Sequence, residues 1–600
     1  MKRSTTKAVR DRLMISTALI ALAALAPVSI AFAESGGDGG LRSSTTFPGG
    51  EGGESQTTGQ GEDGGTGSVF TTGGGGGGAG ETGGSGGAQS GSAALGGQSA
   101  GADGEDGASS RLIGGNGGGG GAHGGVGVAF PVADTTGGTG GNGGNGTTGG
   151  AGSSGGGGGA GGYGYVVTGD GALGTLSANI AGGAGGDGGD SFNPFNGGAQ
   201  GGDGGKGLVV SSSAGSTFTI SNGVSVSGGQ GGQTGAADSS LSVAPSSGGT
   251  GLEGANLNVT LAGTVAGGAG SDGALANAFN FTGGTNTLSI ASTGIITGGI
   301  RTDGALDIAH DDATYTLSNI ISGTGSISKS DSGTLILTGA NTYSGGTTIA
   351  GGTLSVSADN TLGASSGIIV LEGGTLATTA SFASARDVSL LFGTGGNDIN
   401  VAASTEFALS GDISGGFGFA KTGDGTLVLS GDNTFLGYLN IREGVVNIRS
   451  DQALGGAFET AVRDGAALEL EGNITTGETV VLFGDGVSSD GAIRNASGAN
   501  TISGDLVLNA DSRVNSEAGT LTLAGEINGE TGGGSPLNAD LALGGAGNGV
   551  VSGTFGSQII ELLKDGAGTW TLSGNNLHTG QTTIRAGALR AESATALGST

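Results

Sequence analysis

The chain has 600 residues, of which 148 are glycine, while Phe, Tyr and Trp number only 18, 5 and 1. A single compact domain of this length would be unusual, because hydrophobic cores stop growing at about 250–300 residues. So low a content of large apolar side chains favours an elongated repeat fold, whose units contact only their neighbours. The formal net charge of −30 excludes nucleic acid as a partner. The absence of cysteine excludes disulfides and thiolate metal sites.

Residues 1–33 are predicted to be a signal peptide. Five basic side chains in residues 2–12 precede the apolar run Leu13–Ala26, and small residues follow it at Ala31 and Ala33. The apolar run is shorter than the about 20 residues that a membrane-spanning helix needs. We therefore predict cleavage between Ala33 and Glu34, which directs the chain into the periplasm.

Two glycine-rich regions follow the signal peptide. Residues 34–111 contain few β-branched or aromatic residues, so we expect a low-complexity segment that is flexible or weakly ordered. Residues 112–300 alternate short apolar elements with Gly-Gly clusters, which predicts a β-solenoid. We expect its glycine runs to form loops that protrude on one side of the stack.

The stretch GGAGGDGGD at 182–190 partly matches the calcium-binding nonapeptide pattern. It fits at the glycines and at Asp187, but Gly189 stands where an aliphatic residue is needed, and the pattern does not recur in tandem. We therefore interpret it as a glycine-rich loop, and whether such loops bind calcium stays open.

Residues 301–600 contain a repeat that aligns three times without gaps, at 329–363, 421–455 and 564–598. Apolar residues two positions apart predict strands with one inward face, and glycines at shared positions predict tight corners. The asparagines after a turn glycine are interpreted as structural, the lysines at each start as solvated corners, and the one tryptophan as packing. These residues are Asn341, Asn433 and Asn576; Lys329, Lys421 and Lys564; and Trp570.

These segments resemble the passenger-associated transport repeat of bacterial autotransporters, through the shared pattern K-x-G-x-G-T-L-x-L-S-G-x-N-T-Y-x-G-x-T-x-I-x-x-G-x-L-x-V. The resemblance implies an all-β fold, a right-handed parallel β-helix that is exported and folds outside the outer membrane. It also implies an outer-membrane β-barrel translocator as a partner. Nothing in this sequence is typical of such a barrel, so we expect that the chain is a fragment or that the barrel is missing.

An enzyme is not predicted. His123 lies in a glycine run, His310 precedes two aspartates, and His578 occupies a repeat position held by Tyr343 and Phe435. Asp331-Ser332-Gly333 faintly resembles a protease nucleophile, but its equivalents in the other repeats lack the serine. We expect no catalytic, cofactor-binding or metal-binding residues.

Two functions compete, while a third interpretation, a glycine-rich matrix protein that never folds into coils, would explain residues 34–111 but not the three gapless repeats. The leading hypothesis is a structural or adhesive rod that contacts host cells, matrix molecules or other bacteria and is attached to the cell surface or released from it. The alternative is a β-helical hydrolase or lyase acting on polysaccharides, which a cluster of charged residues in one groove would favour.

Overall fold

Short parallel strands, stacked in register, dominate the computed structural model. It describes residue 36 and residues 52–57, 59–66, 75–88, 93–109, 115–146, 154–192, 198–212, 214–237, 243–529 and 538–598. The signal peptide and its cleavage site at Ala33 and Glu34 lie outside these residues. No helix in the described ranges is long and apolar enough to span a membrane.

Within these ranges the strands form six sheets that lie on three faces of a solenoid. Two sheets follow one another along each face, and backbone hydrogen bonds continue the stacking where a strand is missing. The bond from Thr342 N–H to the Ile321 carbonyl (2.8 Å) bridges such a gap on the first face, and Thr434 N–H to Ile413 (2.8 Å) does so on the second. These pairings confirm the predicted parallel β-helix.

Each face carries its own series of strands, and two one-turn 3₁₀ helices lie at Asp359–Leu362 and Val487–Ser489. The first face holds Val126–Gly127, Tyr165–Val167, Leu208–Val210, Leu252–Gly254, Asn277–Phe281, Gly299–Thr302, Ile321–Ser322, Phe382–Ser384, Glu406–Leu409, Thr426–Leu429, Gly444–Ile448, Ala466–Glu471, Ile493–Ser497, Ser512–Ser516, Ala539–Gly544, Ile559–Lys564 and Thr582–Ile584. The second holds Gly171–Leu176, Ser216–Ile220, Leu257–Leu261, Thr285–Ile290, Ala305–His310, Ser326–Lys329, Thr347–Ile349, Ile369–Leu371, Val388–Leu390, Ile413–Gly415, Thr475–Thr476, Ala499–Ile502, Thr520–Leu523, Asn548–Val551, Thr569–Leu572 and Ala588–Ala591. The third holds Thr135–Thr136, Ile180–Ala181, Ser225–Ser227, Thr264–Ala266, Ile295–Thr297, Thr314–Leu317, Thr334–Leu337, Thr353–Val356, Thr375–Thr378, Asp398–Val401, Phe419–Thr422, Leu439–Ile441, Thr460–Val462, Val480–Leu482, Leu506–Leu508 and Ile527–Gly529.

The interior is a thin, continuous column of aliphatic side chains. Alternate residues of each strand point inward, and most of the buried apolar residues described form one cluster that extends from Val167 to Ala596, beside a small second cluster of Tyr163, Val166 and Val209. Parallel pairing stacks the aliphatic side chains of one coil on those of the next, as with Leu335 opposite Leu354 and Leu427 opposite Val446. Each coil is thus covered by the next, which is the stacking that a solenoid requires.

The described glycine runs within residues 137–251 are not open loops. They leave the solenoid at the corner between its third and first faces, on one side as predicted, but each excursion consists of two antiparallel legs packed against the neighbouring excursions. The legs span 137–146 and 154–164, 182–191 and 198–207, and 228–237 and 243–251. Most of their glycines are buried. The expectation of protruding loops is therefore corrected, because the backbone amides of these runs bond to one another.

Hydrogen bonds recur in these legs at every third residue, the period of a polyproline-II-type helix. One set of amides donates to the equivalent leg of the next excursion, at 2.8 Å: Gly182 to Ser227, Gly185 to Gln230 and Gly188 to Gln233. A second set donates to the antiparallel leg before it: Gly183 to Gly162, Gly186 to Gly159 and Gly189 to Gly156. We call this packed assembly of legs the glycine array.

The third residue of each triplet faces outward, which explains the GGx pattern. Its backbone N–H donates a hydrogen bond to an Asn or Asp side chain of the preceding excursion. The Asp187 N–H donates to Asn142 Oδ1 and the Asp190 N–H to Asn145 Oδ1, both at 2.8 Å. Asp187 Oδ1 in turn accepts the Gln233 N–H at 2.7 Å. The aspartate of the calcium-like stretch thus joins a side-chain ladder that satisfies exposed amides.

The described parts of residues 34–111 continue the same array. Gly120 N–H donates to the Gly84 carbonyl (2.8 Å), and Gly84 N–H donates to Gly78 (2.6 Å). Residues 75–88 and 93–109 therefore have defined hydrogen-bond partners, although the sequence led us to expect weak order there. The remainder of the segment lies outside the described residues.

His123 is buried in the array and stacks on Tyr163, with 4.3 Å between the ring centroids. Its Nδ1 accepts the Tyr163 N–H at 3.0 Å and its Nε2 donates to the Gln56 carbonyl at 2.6 Å. Burial lowers the pKa of His123 from 6.5 to about 4. The ring is therefore neutral at physiological pH, and a proton on Nδ1 would break its bond to Tyr163.

We expect the array to lose stability as the pH falls from about 6.5 to 4. In this window the unfolded chain binds a proton at His123 that the folded chain does not. By about pH 4 this lowers the free energy of unfolding by about 3 kcal/mol. Hydrogen exchange of residues 115–124 and 154–164, followed against pH, measures it. The variant His123→Gln, which does not titrate, should lack this component, and an identical pH profile in both proteins would contradict the assignment.

Candidate functional site

Each repeat is a two-coil unit whose second half stacks on its first. Lys329 pairs with Ile349 and Leu335 with Leu354, and the same register recurs in the other two repeats. The other pairs are Lys421 with Ile441, Leu427 with Val446, Lys564 with Ile584, and Trp570 with Leu589. A repeat therefore covers its own first coil without help from the rest of the chain.

The predicted inward residues are buried in the first two repeats. Leu335, Leu337, Leu427 and Leu429 are at most 1% exposed, and so are Trp570 and Leu572 in the third. Trp570 lies flat over Gly549, its partner in the preceding coil, and its Nε1 donates to the Gly544 carbonyl at 3.0 Å. Ile584 differs, being 53% exposed, because no described coil stacks on its strand.

The repeat lysines are not solvated corners, which corrects the expectation. Lys329, Lys421 and Lys564 are 0–1% exposed. In each strand the lysine lies two residues after an inward apolar residue, so it shares that face and its stem enters the core. This alternation, repeated three times, was the signal in the sequence that could have shown the burial.

The ammonium groups bind the carbonyls of a tight turn. Lys421 Nζ donates to Thr422 (3.0 Å) and Gly423 (2.6 Å) in its own coil, and to Glu443 (3.0 Å) in the next. Lys564 does the same with Asp565, Gly566 (2.9 Å) and Ala586 (3.1 Å). Burial lowers the pKa of Lys421 to about 8, so the amine is still protonated at neutral pH. The lysine therefore ties two coils together at one corner.

A glycine in the left-handed region closes this corner from the next coil. Gly352, Gly444 and Gly587 have φ values of 55°, 67° and 69°. A Cβ at Gly587 would meet the Gly566 and Gly568 carbonyls and approach Lys564 Nζ. Only glycine combines this backbone conformation with so close an approach.

The repeat asparagines bridge three successive coils. Asn433 Oδ1 accepts the Ile413 N–H at 2.7 Å from the coil before, and its Nδ2 donates to the Ala453 carbonyl at 2.6 Å in the coil after. Asn341 and Asn576 make the equivalent bonds, to Ile321 and Thr361 and to Phe555 and Ala596. The structural role predicted for them is confirmed, but they bond to backbone groups and not to one another.

Each repeat interrupts a different face of the solenoid. The asparagine segment replaces a strand on the first face in repeat one, on the second in repeat two, and on the third in repeat three. The inward ring that follows each asparagine is buried: Tyr343, Phe435 and His578 are all 0% exposed. His578 is therefore a packing residue of the repeat, as predicted, and its Nε2 lies 3.3 Å from Thr582 Oγ1.

The other residues considered for catalysis belong to structural contacts. His310 Nδ1 donates to the Asp312 carbonyl at 2.7 Å, and the Asp331 carboxylate accepts the His310 N–H at 3.0 Å and contacts Lys329. Ser332 is exposed on the same turn. Within the described residues no group of three or more His, Asp or Glu side chains is placed to hold a metal ion.

Comparison with protein families finds the passenger-associated-transport-repeat model at residues 327–356, 419–448 and 562–591. The three repeats are passenger-associated transport repeats. Each match begins two residues before the lysine and ends at the strand that covers the first coil, so it contains the lysine corner and the bridging asparagine. The match confirms the resemblance to autotransporter passengers that the sequence indicated.

One curated relative was found, the protein described as "Adhesin BmaC autotransporter" of Brucella suis biovar 1 (strain 1330). It is 39% identical over 152 residues, which are 25% of this chain and 4% of the relative. The chain therefore aligns with only a small part of that protein. No solved structure matches the chain.

Proposed function

We propose that this chain is the exported passenger region of an autotransporter, and that it acts as a non-enzymatic adhesive rod at the bacterial surface. It reaches the surface through the periplasm, by way of an outer-membrane β-barrel translocator. Its partners are surface molecules of host cells or of the matrix.

The observation that carries this proposal is the set of three transport repeats built into a continuous parallel solenoid. Coils of this kind fold by stacking on their neighbours, so the chain can be exported unfolded and gain structure step by step. The relative described as an adhesin supports the adhesive role. A long surface of similar coils also suits several weak contacts acting together. The comparisons do not favour the polysaccharide hydrolase or lyase.

An in-frame deletion of codons 34–600 from the chromosomal gene tests the proposal. Antibodies against the chain should label the surface of wild-type cells, and the deletion strain should bind cultured host cells several-fold less than wild type. Restoring the codons should restore binding. Unchanged binding by the deletion strain, with the wild-type chain present at the surface, would refute the adhesive role.

A further inference from the structure

One corner of the solenoid, between its second and third faces, carries a row of water-exposed aromatic side chains. Phe392, Phe417, Tyr438 and Phe458 are 69%, 42%, 60% and 72% exposed. They come from four successive coils, and the ring centroids lie 5.5 Å apart for Phe392 and Phe417 and 5.9 Å apart for Tyr438 and Phe458. We call these four residues the aromatic row.

Aliphatic side chains extend the same exposed surface. Leu391 and Leu436, which flank the row, are 42% and 53% exposed. Single exposed apolar residues are ordinary, but contiguous exposed patches on soluble proteins mark interaction sites. An aligned aromatic row is therefore a surface that a partner would cover.

Carboxylates continue the corner in the following coils. Backbone hydrogen bonds stack Glu459, Thr479, Asp505 and Glu526 one above another, through the bonds Thr460 to Thr479, Val480 to Asp505 and Leu506 to Glu526. The three acidic residues line a cavity of about 380 Å³, together with Phe483 and Asn528. We call this the acidic cavity.

Within the described part of the chain, the acidic cavity has no cationic partner of its own. Glu459, Asp505 and Glu526 form no ion pair there with Lys, Arg or His. Arg463, which is not a lining residue, lies over the ring of the lining residue Phe483 at 4.1 Å and donates to Asn440 Oδ1. Asp505 Oδ1 accepts the Glu526 N–H at 2.9 Å, and Glu526 Oε1 accepts from Asn528. The three carboxylates therefore have no ion-pair partner among the described residues.

We propose that the aromatic row and the acidic cavity together bind an extended, basic segment of a partner polypeptide. The proposal rests on the adhesive function and specifies its partner chemistry. Lysine and arginine side chains satisfy both parts of the surface, because their charged groups pair with carboxylates and stack on aromatic faces, while their stems cover apolar area. A neutral glycan would leave the three carboxylates uncompensated.

The dimensions fit a strand-like ligand. Phe392 and Glu526 are six coil spacings apart, which is about 29 Å at 4.8 Å per coil. An extended peptide of about nine residues spans this distance at 3.3 Å per residue. We expect a ligand with basic residues at the acidic cavity and mixed basic and apolar residues along the aromatic row.

Fluorescence anisotropy with the full chain and labelled ten-residue peptides tests this proposal. One peptide carries four arginines among leucine and serine; matched peptides replace arginine by glutamate or by serine, and cellohexaose is the glycan probe. The basic peptide should bind at least about tenfold more tightly than the others, and its affinity should fall with added salt. Equal binding of the three peptides would overturn the proposal. Binding of cellohexaose that is tighter than that of the basic peptide, and that is lost when the aromatic row is mutated, would also overturn it.

Exposed variants locate the site without touching the core. The pairs Tyr438→Ser with Phe458→Ser, and Asp505→Asn with Glu526→Gln, should each weaken the basic peptide about tenfold. The controls Phe192→Ser and Glu406→Gln change an exposed aromatic residue and an exposed carboxylate elsewhere, and should bind like wild type. Circular dichroism must show that all variants stay folded. Equal affinity in site and control variants would overturn the assignment.

Cell binding separates the partner chemistry from the adhesive function. If the deletion strain loses adherence but the full chain does not bind the basic peptide, the adhesive function stands and a basic polypeptide is not the partner. If site variants lose both peptide binding and adherence, the adhesive function and the basic polypeptide partner are both supported.

Discussion

Replacement of Gly159 by alanine is expected to open the glycine array while leaving the coils after residue 301 folded. Gly159 is buried between neighbouring legs, and a Cβ there would overlap the carbonyl of Gly119. Residues 154–164 must move away from residues 115–124 to admit a methyl group, which breaks the hydrogen bonds from Gly118 to Gly157 (2.9 Å) and from Gly121 to Ala160 (2.8 Å). We expect a loss of at least about 3 kcal/mol of local stability, at the upper end for overpacking.

Hydrogen exchange resolved by mass spectrometry measures this effect. Amides of residues 115–124, 137–146 and 154–164 should exchange much faster in Gly159→Ala, while those of 327–448 should not change, because a solenoid couples mainly to its neighbours. The matched control is Gly477→Ala, whose Cβ would find only Ser503 Oγ, at 3.6 Å. Equal protection of the legs in wild type and Gly159→Ala would show that the array is not packed as described.

Replacement of Asn433 by alanine is expected to destabilise the second transport repeat by about 3 kcal/mol. The variant leaves two backbone groups without their partner, the Ile413 N–H and the Ala453 carbonyl, at a site where Asn433 is only 2% exposed. An unsatisfied buried polar group costs about 1–3 kcal/mol. The loss should appear in all three coils that the asparagine joins.

The free energy of local opening, obtained from exchange of the amides around Ile413 and Ala453, checks this prediction. Asn360→Ala is the control, since this asparagine belongs to the first repeat but its side chain is exposed, and it should change stability little. If Asn433→Ala proved as mild as Asn360→Ala, water or a rearranged backbone would have to replace the amide, and the bridge would not stabilise the repeat.

The lysine corner shows where reasoning from residue type fails. Lysine is almost never fully buried unless it is paired, so a solvated corner was the ordinary interpretation. The spacing of two residues from Ile327 to Lys329, and from Phe419 to Lys421, indicated instead that the lysine side chains face inward. What the sequence could not supply were the carbonyls that receive the ammonium group, because one of them, from Glu443, belongs to the next coil.

The glycine array is a second feature whose packing could not be predicted from the sequence. Because glycine has no side chain, the periodicity of apolar residues could not show that the described glycine runs within residues 137–251 are packed. The period of three in GGNGGNG and GGDGGD was visible, but its meaning depends on carbonyls about 45 residues away, such as Gln233 opposite Gly188.

The sequence by itself determined the β-solenoid, the inward positions of its strands and the three repeats, and the resemblance of those repeats to a known family implied the parallel β-helix. The first three follow from local alternation and from a repeat that aligns without gaps, and both are written along the chain. Only the tertiary structure decided the buried lysines, the bridging asparagines, the glycine array and the exposed aromatic row. Each of these depends on which coils become neighbours, because hydrogen-bond partners and exposure at a corner are set by stacking between coils and not by the order of residues within one.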